Sequence, residues 1–300
     1  MKDSYRQISL ARLCRLLGIT RQAYYQHFWM ASDTSTQEQL VLGEVQQIRK
    51  VHPAIGGRKL YCMLQAFFME HNIKMGRDGL FDLLACNGLL VRRKRRTVKT
   101  TQSRHWLKKY PNLIREWKPS APQQLWVADI TYVAISNGFA YLSLITDAYS
   151  HKIVGYKVAN NLSAIYTLSA LKMALRKCPP PQGLIHHSDR GIQYCSAAYV
   201  KVLQGHQLQI SMSEAGDPLE NALAERINGI IKHEYLNYFQ LNTTEDLQSL
   251  MPAIIERYNS QRPHMSINML TPENVHTSKL QVNRTWSRKQ IPNIVNPMQD

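Results

Sequence analysis

The spacing of apolar positions divides the chain near residue 119. Before it, apolar residues recur every three or four positions, as one face of a helix requires. Leu10, Leu13, Leu16 and Leu17 form the first such run. Gly18 ends it, because the left-handed conformation that closes a helix costs glycine little. Thr20 then supplies an N-cap for Arg21-Gln22-Ala23-Tyr24-Tyr25. Residues 8–29 thus read as helix, sharp turn, helix. Residues 31–36 (Ala-Ser-Asp-Thr-Ser-Thr) read as a polar linker, and 37–50 as a helix with Leu40, Val41, Val45 and Ile48 on one side. A turn, His52-Pro53-Ala54-Ile55-Gly56-Gly57, opens onto a helix that carries Arg58 and Lys59 and runs to about Glu70. Another runs from about Arg77 to Cys86 and stops at Asn87-Gly88. This is a second helix-turn-helix pattern.

After Pro119 and Pro122 the period changes to that of strands. Leu125–Ala134, Phe139–Asp147 and Lys152–Val158 are rich in β-branched and aromatic residues. Ser136-Asn137-Gly138 between the first two is a strong hairpin signal. A meander of three antiparallel strands is expected, then a helix over about 163–177, a short strand Leu184–His187, a helix over about 197–204, a strand Gln209–Met212 and one long helix from about Pro218 to Tyr238. That order is the order of an RNase H-like α/β domain with a mixed five-stranded sheet. The expected organisation is a helix-turn-helix unit over 1–36, a second helical unit over 37–98, a basic linker over 99–118, an α/β catalytic core over 119–240 and a C-terminal helix and tail over 241–300.

Charge sharpens this division. Of 37 Lys and Arg and 21 Asp and Glu, residues 1–118 hold 22 and 8, and the remainder is almost balanced. A field concentrated in the helical part attracts polyanions. It points to nucleic acid, with Arg21, Gln22 and Tyr24 on the second helix of the first motif, Arg58 and Lys59, and the run Arg92-Arg93-Lys94-Arg95-Arg96 as contacts. The run reads as a strap that follows backbone phosphates. The five cysteines are scattered without a CxxC pair, which argues against a disulfide framework and a structural zinc site and suits a reducing cytoplasm. No apolar run is long enough for a membrane span.

Three carboxylates stand out in the second half. Asp129 interrupts the apolar strand Leu125–Val133, where an unpaired charge is costly unless that face is solvated or the charge is bound. Asp189 follows a short apolar strand, at the carboxyl end where ligands of open α/β sheets lie. The alternative there is an ordinary turn Asp. His186 and His187, adjacent on a strand, point to opposite faces and cannot readily bind one ion. Glu225 shares a helix face with Asn221, Asn228 and Lys232, opposite a stripe of Leu219, Leu223, Ile227, Ile230 and Ile231. For Glu225 alone, a solvated polar face is the simpler reading. Carboxylates gathered from strand and helix ends suit hard divalent ions.

Together, Trp126-Val127-Ala128-Asp129-Ile130-Thr131-Tyr132, His187-Ser188-Asp189-Arg190-Gly191-Ile192-Gln193-Tyr194 and Asn221-Ala222-Leu223-Ala224-Glu225-Arg226 resemble the DDE motif. The match is to insertion-sequence transposases of the IS-three family, in their second-frame protein. Tyr258-Asn259-Ser260-Gln261-Arg262-Pro263-His264, then Leu270-Thr271-Pro272, resemble that family's C-terminal signature, and residues 52–90 resemble its helix-turn-helix segment. The resemblance implies an integrase-like core that cleaves and joins DNA, with Asp129, Asp189 and Glu225 holding two Mg²⁺, for which Mn²⁺ could substitute. It implies double-stranded DNA as partner (terminal inverted repeats and target), a homo-oligomer on DNA, an upstream-frame partner or fusion, and a cytoplasmic, nucleoid-associated protein. Asn221, Lys232, Arg262 and His264 become candidate DNA contacts, with helix-end packing as the alternative for the last two. Glu220-Asn221 stands where the family often has Asp-Asn. Rival readings are a catalytically inert helix-turn-helix regulator and an RNase H-like nuclease that cuts without joining.

Overall fold

The structure, a computed structural model, describes residues 9–91, 106–115, 117–214 and 221–278, with backbone alone over 26–35. It separates into two compact units: one of residues 1–51 and 56–90, the other of residues 52–55 and 91–300. The basic run Arg92–Arg96 lies outside the described residues.

The first unit is helical. α1 (Leu10–Leu16) is capped by the Ser9 hydroxyl, and α2 spans Arg21–Val51. Gly18 takes the left-handed conformation, φ +67°, and Thr20 accepts the Ala23 amide at 3.0 Å, so the expected turn and cap are both present. The expected linker at 31–36 is not: α2 runs through it unbroken. Ser, Asp and Thr are weak helix formers but cost only a fraction of a kcal/mol each, and no proline interrupts the stretch. The boundary expected at residue 36 therefore falls inside a helix. α3 (Gly57–Met63) and α4 (Gln65–Glu70) are separated by Leu64, and α5 spans Arg77–Cys86. Val41, Val45, Leu60, Leu64, Phe68, Leu80 and Leu84 fill the interior. Gly57 lies close under Phe81, so that a Cβ on it would come within 2.8 Å of the ring and push it aside.

The second unit holds a five-stranded sheet: β1 (Leu125–Ile135), β2 (Gly138–Asp147), β3 (Ile153–Ala159), β4 (Ile185–Ser188) and β5 (Gln209–Met212). The spatial order is β3-β2-β1-β4-β5. β1, β2 and β3 pair antiparallel, whereas β4 and β5 continue parallel to β1. This is the mixed sheet expected. α6 (Ala164–Lys177) and α7 (Ala197–Gly205) cover one face, packing Ala170, Leu171, Ala174 and Tyr199 on Trp126, Ala128 and Ile145. Gly155 lets β3 approach α6 closely, since a Cβ on it would meet the Ala174 Cβ at 2.8 Å.

The other face is covered by α8 (Ala222–Ile230), a π-helical turn Ile231–Tyr235, a short 3₁₀ turn Leu236–Tyr238, and α9 (Thr244–Ser260). The single long helix expected here is thus broken in character. The π turn buries Tyr235 and the 3₁₀ turn buries Leu236, and Tyr235 meets His52 at 2.9 Å. α9 opens with a capping box on Thr243 and Asp246, and its Leu247, Met251, Ile254 and Tyr258 share one core with Val133, Leu142 and Ile227. The core therefore does not end at residue 240. α10 (Pro272–Ser278) follows.

Candidate functional site

Strand alternation fixes which face Asp129 occupies. Trp126, Ala128 and Ile130 belong to the α6–α7 side, and Asp129 with Val127, Thr131 and Val133 belongs to the side that α8 covers. The N-cap of α8, α8 itself and the π turn each bond to β1. The Asn221 amide donates to the Ala128 carbonyl at 3.1 Å, Asn228 donates to Asp129 Oδ2 at 2.8 Å, and Lys232 Nζ donates to Thr131 Oγ1 at 3.4 Å. Glu225 lies on this same stripe, four residues after Asn221 and three before Asn228. The polar face read from the sequence is therefore turned to the sheet, not simply to solvent. Burial pushes the Lys232 ammonium down from its ordinary range, and the Asp129 charge opposes that shift.

The parallel register brings the second carboxylate beside the first. Ala128 pairs with Ser188, and the next residues of the two strands are Asp129 and Asp189. Neighbouring strands lie about 4.8 Å apart. Asp189 Oδ1 accepts the Gly191 amide at 3.0 Å, and a Cβ on Gly191 would come within 2.9 Å of that oxygen. The loop is thus shaped around the carboxylate, which sits half-buried like Asp129 and Glu225.

His186 and His187 point to opposite faces, as expected, and both are core residues. His186 Nε2 meets the Tyr199 hydroxyl at 2.9 Å, and His187 Nδ1 meets Ser211 Oγ at 2.9 Å. Burial pushes them down to about 3 and about 4. At neutral pH both are uncharged. Tyr194 is buried near the two aspartates, and its hydroxyl has no hydrogen-bond partner among the described residues.

Among the described residues no three His, Cys, Asp or Glu side chains converge closely enough to hold a metal ion. The backbone places Asp129 and Asp189 on neighbouring strands and Glu225 on the α8 stripe that faces β1. The donors fit a hard divalent cation in kind, being carboxylate oxygens. Two amide oxygens on the same stripe, Asn221 Oδ1 and Asn228 Oδ1, are buried without a hydrogen-bond partner among the described residues.

The other expected DNA contacts divide. Arg21, Gln22 and Arg58 are exposed, and Tyr24 and Lys59 are half-buried. Arg262 and His264 are 3% and 4% exposed. Arg262 forms a two-pronged pair with Glu234, Nε to Oε2 at 2.8 Å and Nη2 to Oε1 at 2.7 Å, and packs on the Tyr258 ring. The His264 ring packs against Tyr258 and His151. The contact expected of these two is corrected to helix-end packing. The rest of the 258–264 motif does the same: Tyr258 donates to the His151 carbonyl at 3.1 Å, and Asn259 pairs with both the amide and the carbonyl of Ile153. Asn221 and Lys232 are likewise engaged with β1. Asn228 and Tyr194 were not singled out by the sequence as site residues; Asn228 could have been, since it lies on the Glu225 stripe.

Residues 119–218 match the family described as Integrase core domain, and a second family of that description matches 206–272. The chain is 37% identical over 264 residues to the insertion element IS600 uncharacterized 31 kDa protein of Shigella sonnei, covering 87% of this chain and 96% of that protein. It is 30% identical over 263 residues to the transposase for insertion sequence element IS629 of the same organism, covering 85% and 87%. It is 28% identical over 283 residues to transposase InsF for insertion sequence IS3A of Escherichia coli (strain K12), covering 91% and 96%. Among solved structures, the HTLV-2 integrase catalytic core domain in complex with magnesium aligns at TM-score 0.42 and 19% identity, over 52% of this chain and 97% of that one.

Proposed function

The chain belongs to the insertion-sequence transposases with an integrase core domain, and from that premise we propose that it cuts DNA at the ends of such an element and joins the freed 3′-hydroxyl to a new phosphodiester. The observation that carries this reading is the pairing of Ala128 with Ser188, which sets Asp129 beside Asp189 under the Asn221–Glu225–Asn228–Lys232 stripe.

Asp129, Asp189 and Glu225 would hold divalent ions, two Mg²⁺ or their Mn²⁺ substitutes. The chemistry such ions would supply is activation of the attacking oxygen and stabilisation of the leaving one. The protein's own contribution is positioning. Asn228 donates to Oδ2 of Asp129 and the Ile130 amide to Oδ1, so the carboxylate is held in a constant direction. The Gly191 amide does the same for Asp189. Lys232 places a positive charge near Asp129, on the side where a DNA phosphate would approach. The exposed Arg21, Gln22 and Arg58, with Tyr24, Lys59 and the run Arg92–Arg96, would bind the duplex away from the reacting bond. Two element ends must meet for joining, so assembly as a homo-oligomer on DNA, with or without an upstream-frame partner, belongs to this reading.

The test is a strand-transfer assay on labelled duplexes carrying the element's own ends, with Mg²⁺, Mn²⁺ or EDTA. Cleaved and joined products with metal, absent in Asp189→Asn, support the proposal. Cleavage without joining favours a nuclease, and binding without cleavage favours a regulator.

A further inference from the structure

The segment before β1 has a placement that its sequence does not announce. Residues 106–115 have no regular secondary structure, yet they are fastened across the free edge of β5. Met212, the last residue of β5, donates its amide to the Pro111 carbonyl at 3.3 Å, and Leu113 donates to Ser211 Oγ at 2.9 Å. Leu107 and Tyr110 pack on the α6–α7 side of the sheet, whereas Ile114 packs into the cluster of Val127, Ile185 and Ala224 on the α8 side. The strap therefore wraps the sheet edge, held by an apolar side chain on each face.

This anchoring decides where its cations sit. Pro111 abuts Met212, Met212 is paired with Ser188, and Asp189 comes next. Two strand spacings put Pro111 roughly 10 Å from Ser188. Lys108 and Lys109 precede Pro111 and are both exposed, with Lys108 Nζ 5.3 Å from the Tyr110 ring centre. The charge of Lys109, with those of Asp189 and Arg190, is felt at Cys195, which is buried next to Met212. The strap thus sets the two lysines at the carboxyl end of the sheet, on its β5 side, the end at which Asp189 follows β4. One strand of DNA advances about 3.4 Å per nucleotide, so roughly 10 Å corresponds to about three nucleotides.

Resting on the transposase reading, we propose that Lys108 and Lys109 grip backbone phosphates of the reacting DNA strand, about two to four nucleotides from the phosphate that Asp129 and Asp189 address. Both side chains lie outside the core, and the strap is held by Leu107, Tyr110 and Ile114. Their replacement therefore leaves the fold intact.

The experiment measures binding of the full chain to a labelled mixed-sequence duplex across a series of salt concentrations. Wild type is compared with the double variant Lys108→Ala/Lys109→Ala and with a control, Lys172→Ala/Lys201→Ala, on α6 and α7. The slope of log K against log salt should fall by about 1.8 in the first variant, since each lost phosphate contact removes roughly 0.9. The control should lose clearly less, and both variants should melt like wild type. A slope equal to wild type in the strap variant, or an equal loss in the control, overturns the proposal and leaves the transposase reading standing. Absence of salt-dependent binding by wild type overturns both.

Discussion

The amide of Asn228 donates to Oδ2 of Asp129 at 2.8 Å across the gap between α8 and β1. This bond makes the position of a candidate metal-binding carboxylate depend on a helix that also carries Glu225. Groups that orient a ligand commonly govern metal affinity. Asn228→Ala should therefore weaken Mn²⁺ binding by roughly 10- to 100-fold while the variant keeps its far-ultraviolet circular dichroism. Calorimetric titration gives the answer, and unchanged affinity would remove Asn228 from the site.

Arg262 is buried and holds the half-buried Glu234 carboxylate with two short hydrogen bonds. Removing Arg262 takes the partner from a carboxylate that water reaches only in part. Arg262→Ala should lower unfolding free energy by about 2–4 kcal/mol, between the cost of breaking a surface pair and a fully buried one. A urea titration measures it. Destabilisation below about 1 kcal/mol, together with weaker DNA binding, would restore the role of DNA contact to Arg262.

Three buried histidines make stability depend on pH. Burial lowers His186 to about 3 and His187 to about 4, and it is the largest cause that lowers His52 to about 4. In the unfolded chain a histidine titrates at about 6.5. Between the folded and unfolded values the unfolded state binds more protons, so stability rises with pH there and is lost as pH falls. Urea midpoints should drop steadily from pH 7 to pH 4.5. His186→Gln, which does not titrate at that position, should show a smaller drop over the same interval.

Gly155 has no room for a side chain, because a Cβ there would stand 2.8 Å from the Ala174 Cβ. Neither β3 nor α6 can yield without disturbing the sheet. Gly155→Ala should cost about 1–3 kcal/mol, as overpacking usually does, and thermal melting would register it. A variant that melts with wild type would mean that the helix can shift outward freely.

Much of this was readable before any coordinates. Asn137-Gly138 and the β-branched runs placed β1, β2 and β3 to within a residue or two, because hairpin turns are chosen by local chemistry. Gly18 and Thr20 marked the first turn for the same reason. Long-range contacts account for what was hidden. The π turn at Ile231–Tyr235 serves Tyr235 against His52 and Glu234 against Arg262, partners far away in sequence. The weak helix formers at 31–36 resemble a break in the sequence, yet α2 continues through them. Asp129, Asp189 and Glu225 were legible as a spaced motif. Which face each occupies, and that Arg262 is bound inward to Glu234, depended on the pairing of elements that no short window contains.

If Asp129, Asp189 and Glu225 hold one set of ions, removing any of the three should weaken metal binding. Mn²⁺ titrated into wild type and into Asp129→Asn, Asp189→Asn and Glu225→Gln, with the free ion followed by electron paramagnetic resonance and the fold by melting, should bind to wild type and bind at least about tenfold more weakly to every variant, with the fold kept. Wild-type affinity in folded Glu225→Gln would rule out a shared site, since the helix would then contribute no ligand to the pair of aspartates on the sheet.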